Sequence, residues 1–210
     1  SSFDRFFDLP DEGTHYDFTI SKIFEILIGD IIPKGGGTFS AVMEKIIPRI
    51  TEEYRKLYDI PEDHESMAVF SADCEDVMWL AVDDATKKAK IKVIQIETVY
   101  GGVDHSWSRY GGEITAIISG EKVADVKSGL HYAKDYIENK SGNYHLNEDG
   151  TLGYYVDYVP RIGKYYQESL GLSEGTSIAY LVSAPVESMY GLDKALKAAD
   201  VKIAELSEIP

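Results

Sequence analysis

The chain carries part of its own sequence twice, and that duplication limits what it can fold into more than any other feature. Ile47-Pro48-Arg49-Ile50 returns as Val159-Pro160-Arg161-Ile162, and Asp83-Asp84-Ala85-Thr86-Lys87-Lys88-Ala89 returns as Asp193-Lys194-Ala195-Leu196-Lys197-Ala198-Ala199. The first pair is 112 positions apart and the second 110, so a two-residue indel keeps both in register. A period this long exceeds the units of solenoids and propellers, so each copy is expected to be a small domain. At 210 residues and 44% hydrophobic content, the chain can bury two modest cores or one core shared across a pseudo-twofold arrangement.

Short apolar runs are ambiguous between strand and helix, but two diverged copies must share one answer. Phe39 to Ile47 and Gly153 to Val159 are apolar or aromatic, and each runs into a proline. Proline is accepted at the first position of a helix and rejected from its interior, so the reading is strand, proline, helix, with helices at Arg49 to Leu57 and Arg161 to Leu170. Met67 to Ala72 and Ile178 to Ala184 read as buried strands. A helix follows each, Asp76 to Lys90 and Val186 to Ala199. Their apolar stripes are Val77, Leu80, Ala81, Ala85 and Ala89 in the first, and Met189, Leu192, Ala195 and Ala199 in the second. Strands are then expected at Ile91 to Thr98 and Val201 to Leu206.

Only the first copy continues, through a Gly-rich loop at Tyr100 to Tyr110, a strand at Glu113 to Ser119 and a helix marked by Val123, Val126, Leu130, Ala133 and Ile137. The 110-residue offset puts the second set beyond Pro210. Without them the second sheet would have an unpaired edge and an uncovered face. The segment before the repeat holds a strand pattern, His15 to Ile20, and an apolar helix pattern, Lys22 to Ile32. Either these complete the second domain, as in a circular permutation, or they are an extension on a chain cut short at its C-terminus. Pairing of 15 to 20 with 201 to 206 decides. The expected organisation is residues 1 to 38 as an N-terminal segment, 39 to 140 as domain one and 141 to 210 as domain two.

A formal charge of −15 disfavours nucleic acid and anionic membrane surfaces, whose phosphates need clustered Lys and Arg. Small cations, amines or a basic partner surface match better. The single cysteine, Cys74, excludes an intramolecular disulfide and fits a reducing cytoplasm. Flanked by Asp73, Glu75 and Asp76, it is a poor nucleophile, since nearby negative charge raises a thiol pKa. The longest apolar run, around Ile23 to Ile32, is broken by Glu25 and Asp30, so no membrane span is expected.

Ser66-Met67-Ala68-Val69-Phe70-Ser71-Ala72-Asp73, followed by Ala81-Val82-Asp83-Asp84-Ala85-Thr86-Lys87, resembles the bacterial microcompartment (BMC) shell-protein domain. So does the run from Ala184-Pro185-Val186-Glu187-Ser188-Met189-Tyr190 to Asp200-Val201. Val99-Tyr100-Gly101-Gly102, His105, Gly112-Glu113, Gly129-Leu130 and the Ala-Tyr-Leu-Val run at 179 to 182 are similar to its tandem-domain, ethanolamine-utilisation branch. The resemblance covers about residues 39 to 210. It implies an α+β fold of two permuted BMC domains, with ferredoxin-like-related mixed or antiparallel sheets. It further implies a homotrimer forming a flat pseudohexamer that makes lateral contacts with other shell proteins and tiles around encapsulated enzymes.

In that family the loop after the second core strand faces a pore on the symmetry axis, which maps here to Tyr100, Gly101, Gly102, His105, Trp107, Arg109, Tyr110 and Gly111. From the residues alone this is a surface hairpin; the resemblance makes it a pore loop, with glycines that permit alternative conformations. Relatives also bind a small amino alcohol such as ethanolamine between domains. The matching positions are Glu75, Glu113 and Tyr144, two carboxylates for an ammonium and an aromatic face for cation–π contact. Solvated turn carboxylates are the alternative.

Other constellations fall short. Pro33-Lys34-Gly35-Gly36-Gly37-Thr38 lacks the G-x-x-x-x-G-K-[ST] order of a phosphate loop. Asp73, Glu75 and Asp76 lack the alternation of a calcium loop and fit a helix N-terminus. His15, His64, His105, His131 and His145 show no metal-ligand spacing, so neither metal nor cofactor is expected. The tyrosines at 154, 155, 158, 165 and 166 suit an interface or a core. No catalytic constellation is visible. The leading expectation is a non-enzymatic shell subunit with a pore for small metabolites. The second is a duplicated amine-binding regulatory protein that does not assemble.

Overall fold

A computed structural model describes residues 3–9, 36–37, 39, 41–99, 113–145, 148–149 and 153–206. The chain divides into two compact units. One holds strands β3 (Ala41–Ile47), β4 (Ser66–Ala72), β5 (Lys92–Val99) and β6 (Glu113–Gly120), helices α1 (Glu52–Leu57), α2 (Glu75–Lys88) and α3 (Val123–Asp135), and the segment Gly163–Tyr166. The other holds β1 (Phe3–Leu9), β2 (Gly36–Gly37), β7 (Asn143–His145), β8 (Gly153–Val159), β9 (Ser177–Ser183), β10 (Lys202–Leu206) and α5 (Pro185–Ala198). Helix α4 (Lys164–Leu170) starts inside the first unit's segment. Each unit is α+β with an antiparallel sheet.

In the first unit the strands run β3-β4-β6-β5. Alternation along β4 sends Met67 and Val69 to one face, where they join Ile50, Ile60 and Ile117 in one apolar cluster. Ala68, Phe70 and Ala72 face the other way and are buried on the side that α3 covers. The apolar stripe of α2 is buried at Val77, Leu80, Ala81 and Ala85 as expected. Gly129 lets α3 lie close, since a Cβ there would stand 2.7 Å from Ile91 Cδ1. A π turn, Tyr136–Lys140, closes α3.

The second unit repeats this sheet as β8-β9-β1-β10 and extends it through β7 and β2. The registers agree closely. Pairs Ser66↔Gly120 to Ala72↔Ile114 in the first sheet correspond to Ser177↔Leu9 to Ser183↔Phe3 in the second. The register shift that skips Ile94 in β5 recurs at Ala204 in β10. Strand β1 therefore stands where β6 stands in the first copy, and it pairs with β10 through Arg5↔Leu206 and Asp8↔Lys202. The partner of residues 202–206 is thus 3–9. The expected strand at 15–20 and helix at 22–32 lie outside the described residues.

Two further expectations are corrected. Neither Pro48 nor Pro160 opens a helix: α1 and α4 begin four residues later, at Glu52 and Lys164. The residues between are held extended, because Ile50 N–H donates to the Glu65 carbonyl (2.8 Å) and Ile162 N–H to that of Thr176 (2.9 Å). The prolines are pinned instead by hydroxyls, Ser66 Oγ on Pro48 O at 2.8 Å and Ser177 Oγ on Pro160 O at 2.6 Å. Proline does take the first helical position at Pro185 of α5. On α5, Leu192 and Ala195 are buried, whereas Met189 is 56% exposed and does not belong to the core stripe.

Candidate functional site

The first unit brings the N-terminus of α2 against the ends of β5 and β6. Backbone pairing between Val99 and Glu113 brings together the two ends of the expected loop, whose own residues lie outside the described ones. One step inward, Thr98 pairs with Ile114. The Thr98 hydroxyl donates to the Glu75 carboxylate in the first turn of α2, and partial burial pushes the Glu75 carboxyl above its ordinary value, with Asp76 adding to the rise. Glu75 and the start of β6, where Glu113 lies, are therefore gathered at the stem of the loop.

Tyr144 is described with the other unit, on β7, its ring stacked on Tyr154 with centroids 5.2 Å apart. The expected loop residues Tyr100, Gly101, Gly102, His105, Trp107, Arg109, Tyr110 and Gly111 lie outside the described residues. Cys74 caps α2 without a side-chain hydrogen bond and is buried. Burial first, then the charge of Asp76, drives its thiol far above the usual range, so the acidic neighbours are the smaller cause. Tyr154, Tyr155 and Tyr166 are core residues.

A second polar constellation, not foreseen, lies within the same unit. Asp83 is buried on α2, and its carboxylate accepts N–H bonds from Gly163 (2.7 Å) and Tyr166 (3.0 Å). Thr86 Oγ1 accepts from Lys164 N–H at 2.9 Å and donates to the Asp83 carbonyl at 2.7 Å. The first turn of α4 begins at a glycine with no side chain of its own, and α2 supplies the capping oxygens that Ser, Thr or Asp would give. Burial pushes the Asp83 carboxyl upward, while Lys87, 3.4 Å away, and the two N–H donors pull it back. The sequence signal was a carboxylate three residues after Leu80 on the apolar stripe.

Among the described residues no group of three or more His, Cys, Asp and Glu could hold a metal. No helix among them is long and apolar enough to cross a membrane. The arrangement offers a half-buried carboxylate at the ends of β5 and β6.

Residues 66–148 match the family described as BMC domain. The chain is 39% identical over 166 residues to the bacterial microcompartment shell protein EutL of Clostridium perfringens, covering 79% of this chain and 76% of that one. It is 32% identical to EutL of Escherichia coli, covering 79% and 75%. The crystal structure of ethanolamine utilization protein EutL from Leptotrichia buccalis superposes with a TM-score of 0.78 at 36% identity, over 85% of this chain and 82% of that one.

Proposed function

Given that this chain belongs to the bacterial microcompartment shell proteins and is a structural subunit of such a shell, we propose that three copies close into a ring of six alternating repeats. In this reading the loop at 100–112 lines the opening for small metabolites. Shell proteins of this kind assemble into oligomers with other shell proteins, and the relatives are structural, not enzymatic. The observation that carries the reading is the near-identity of the two sheets: the same strand order, the same pairing register and the same bulge. Units so alike can alternate around a closed ring with every junction of one kind. The loop is anchored at one end of such a sheet, and the proposed ring would gather its three copies.

Glu75 and Glu113 at the loop stem are proposed to hold the ammonium of a small amino alcohol. The raised pKa of Glu75 supports this reading, since a carboxylate short of solvent gains most from a cationic partner. Light scattering tests the assembly: a trimer of about 70 kDa, three times the 23.4 kDa chain, is expected. A monomer at every concentration overturns it. Calorimetry with ethanolamine tests the pocket, and unchanged binding in Glu75→Gln removes Glu75 from it.

A further inference from the structure

The repeat makes it possible to compare a junction the chain closes by itself with one it leaves open. On α2, Asp83 and Thr86 hold Gly163, Lys164 and Tyr166, and Tyr166 is 2% exposed. By the 112 and 110 offsets, Thr51, Glu52 and Tyr54 correspond to Gly163, Lys164 and Tyr166, while Asp193, Lys194 and Leu196 on α5 correspond to Asp83, Asp84 and Thr86. The backbone supports the match, since Ile50 and Ile162 make the same bond just before each helix. Yet Tyr54 is 43% exposed and Leu196 is 41% exposed. Both halves of the second junction are present in one chain, each with an exposed apolar side chain.

We infer that α5 of one copy receives the first turn of α1 from a second copy, with Tyr54 and Leu196 as its apolar centre and Glu52 facing Lys194. The substitutions at the corresponding positions are paired. At the corresponding positions the in-chain junction carries Asp84, whose carboxylate is paired with Lys87, Lys88 and Lys140, and Lys164 on the incoming turn, whereas the open one carries Lys194 and Glu52. The signs at both positions are exchanged between the two junctions, which would tell them apart. The capping chemistry is reversed too. Thr51 supplies its own oxygen to Tyr54 N–H at 3.4 Å, so α1 needs no carboxylate from its partner. Thr86 becomes Leu196, a polar acceptor replaced by an apolar contact for Tyr54.

This contact rests on the ring proposed above, and its test separates the two. Full-length Glu52→Lys, Lys194→Glu and the double variant are compared with the unmodified chain by analytical ultracentrifugation over a dilution series. Each single variant is expected to raise the concentration at half-assembly about three- to tenfold at low salt, since every ring carries the contact three times. The effect should shrink in about 0.5 M salt, and the double variant should return toward the unmodified value. Tyr54→Ala is expected to cost at least about tenfold at any salt, with its monomer keeping native circular dichroism. A trimer indifferent to Tyr54→Ala and to both charge reversals, or single defects that the double variant fails to repair, overturns this contact and leaves the ring standing. An unmodified chain that stays monomeric overturns both.

Discussion

Gly163→Ala tests whether the buried clamp on α2 is as tight as its hydrogen bonds indicate. A Cβ at position 163 would stand 2.3 Å from the Asp83 carbonyl oxygen, 2.4 Å from Thr86 Oγ1 and 2.8 Å from Asp83 Oδ1. The nearest of these is backbone, so no side-chain rotation relieves the clash. To reach ordinary van der Waals separation the 163–166 segment must withdraw by about 1 Å. That carries the N–H bonds at 2.7, 2.9 and 3.0 Å out of hydrogen-bonding range. Three such bonds are worth about 0.5–1.5 kcal/mol each. Opposing this, alanine reduces the freedom of the unfolded chain by about 0.4–1 kcal/mol.

The losses win, and the net destabilisation is about 2 kcal/mol, or about 4–8 °C in Tm for a chain of this length. Urea denaturation at fixed protein concentration provides the assay. Gly153→Ala is the control, because its Cβ would meet only the Tyr144 carbonyl at an ordinary 3.7 Å. A Gly163→Ala protein as stable as the original, while Gly153→Ala is also neutral, would refute the clamp.

Three other outcomes are expected. Because burial raises the Asp83 carboxyl above its ordinary 3.8, its ionisation subtracts stability above the raised folded pKa, and that loss is regained as pH falls through it. The original protein should therefore gain in Tm on Asp83→Asn between about pH 7 and about pH 4, and a gap moving the other way refutes the assignment. Cys74, 4% exposed with its thiol pKa far raised, should resist an aromatic disulfide reagent until denaturant is added; stoichiometric reaction in the folded protein would contradict its burial. Ser66→Ala and Ser177→Ala each remove a hydroxyl bond to a proline carbonyl and should each cost about 1 kcal/mol, combining additively. A neutral result at either position shows that its proline is held by the backbone alone.

Strand and helix were legible because two copies had to agree, but the strand order of the sheets was not, since it is set by pairings between residues remote in sequence. The starts of α1 and α4 were not, since the bonds of Ile50 and Ile162 that delay them come from residues 65 and 176, remote in sequence. Nor was the strand Phe3–Leu9: its adjacent Phe6 and Phe7 break the alternation of apolar and polar residues, and they sit where the register with β10 shifts. The placement of Glu75 at a helix N-terminus was legible locally, although the helix starts at Glu75 and not at Asp76. Asp83 was not, because a carboxylate on an apolar stripe has meaning only once the N–H groups of residues 163 and 166 are found beside it.

The two copies diverge most informatively where they make the same junction. A buried cap needs a glycine opposite it, because any side chain would collide with α2, so Gly163 and Asp83 are tied to each other and to a junction the chain can close internally. Thr51 carries the Cβ that such a junction forbids, and it brings its own capping oxygen. That caps α1 from within its own chain, and α5 carries an exposed Leu196 where α2 has Thr86. A chain that folds alone and then assembles as proposed would need these two behaviours: one junction locked by desolvated polar bonds, and another whose halves stand in water and would meet through apolar contact and opposed charge. In the proposed ring the duplication supplies two equivalent junctions, and the substitutions at 51, 52, 194 and 196 would make only one of them available to a second copy.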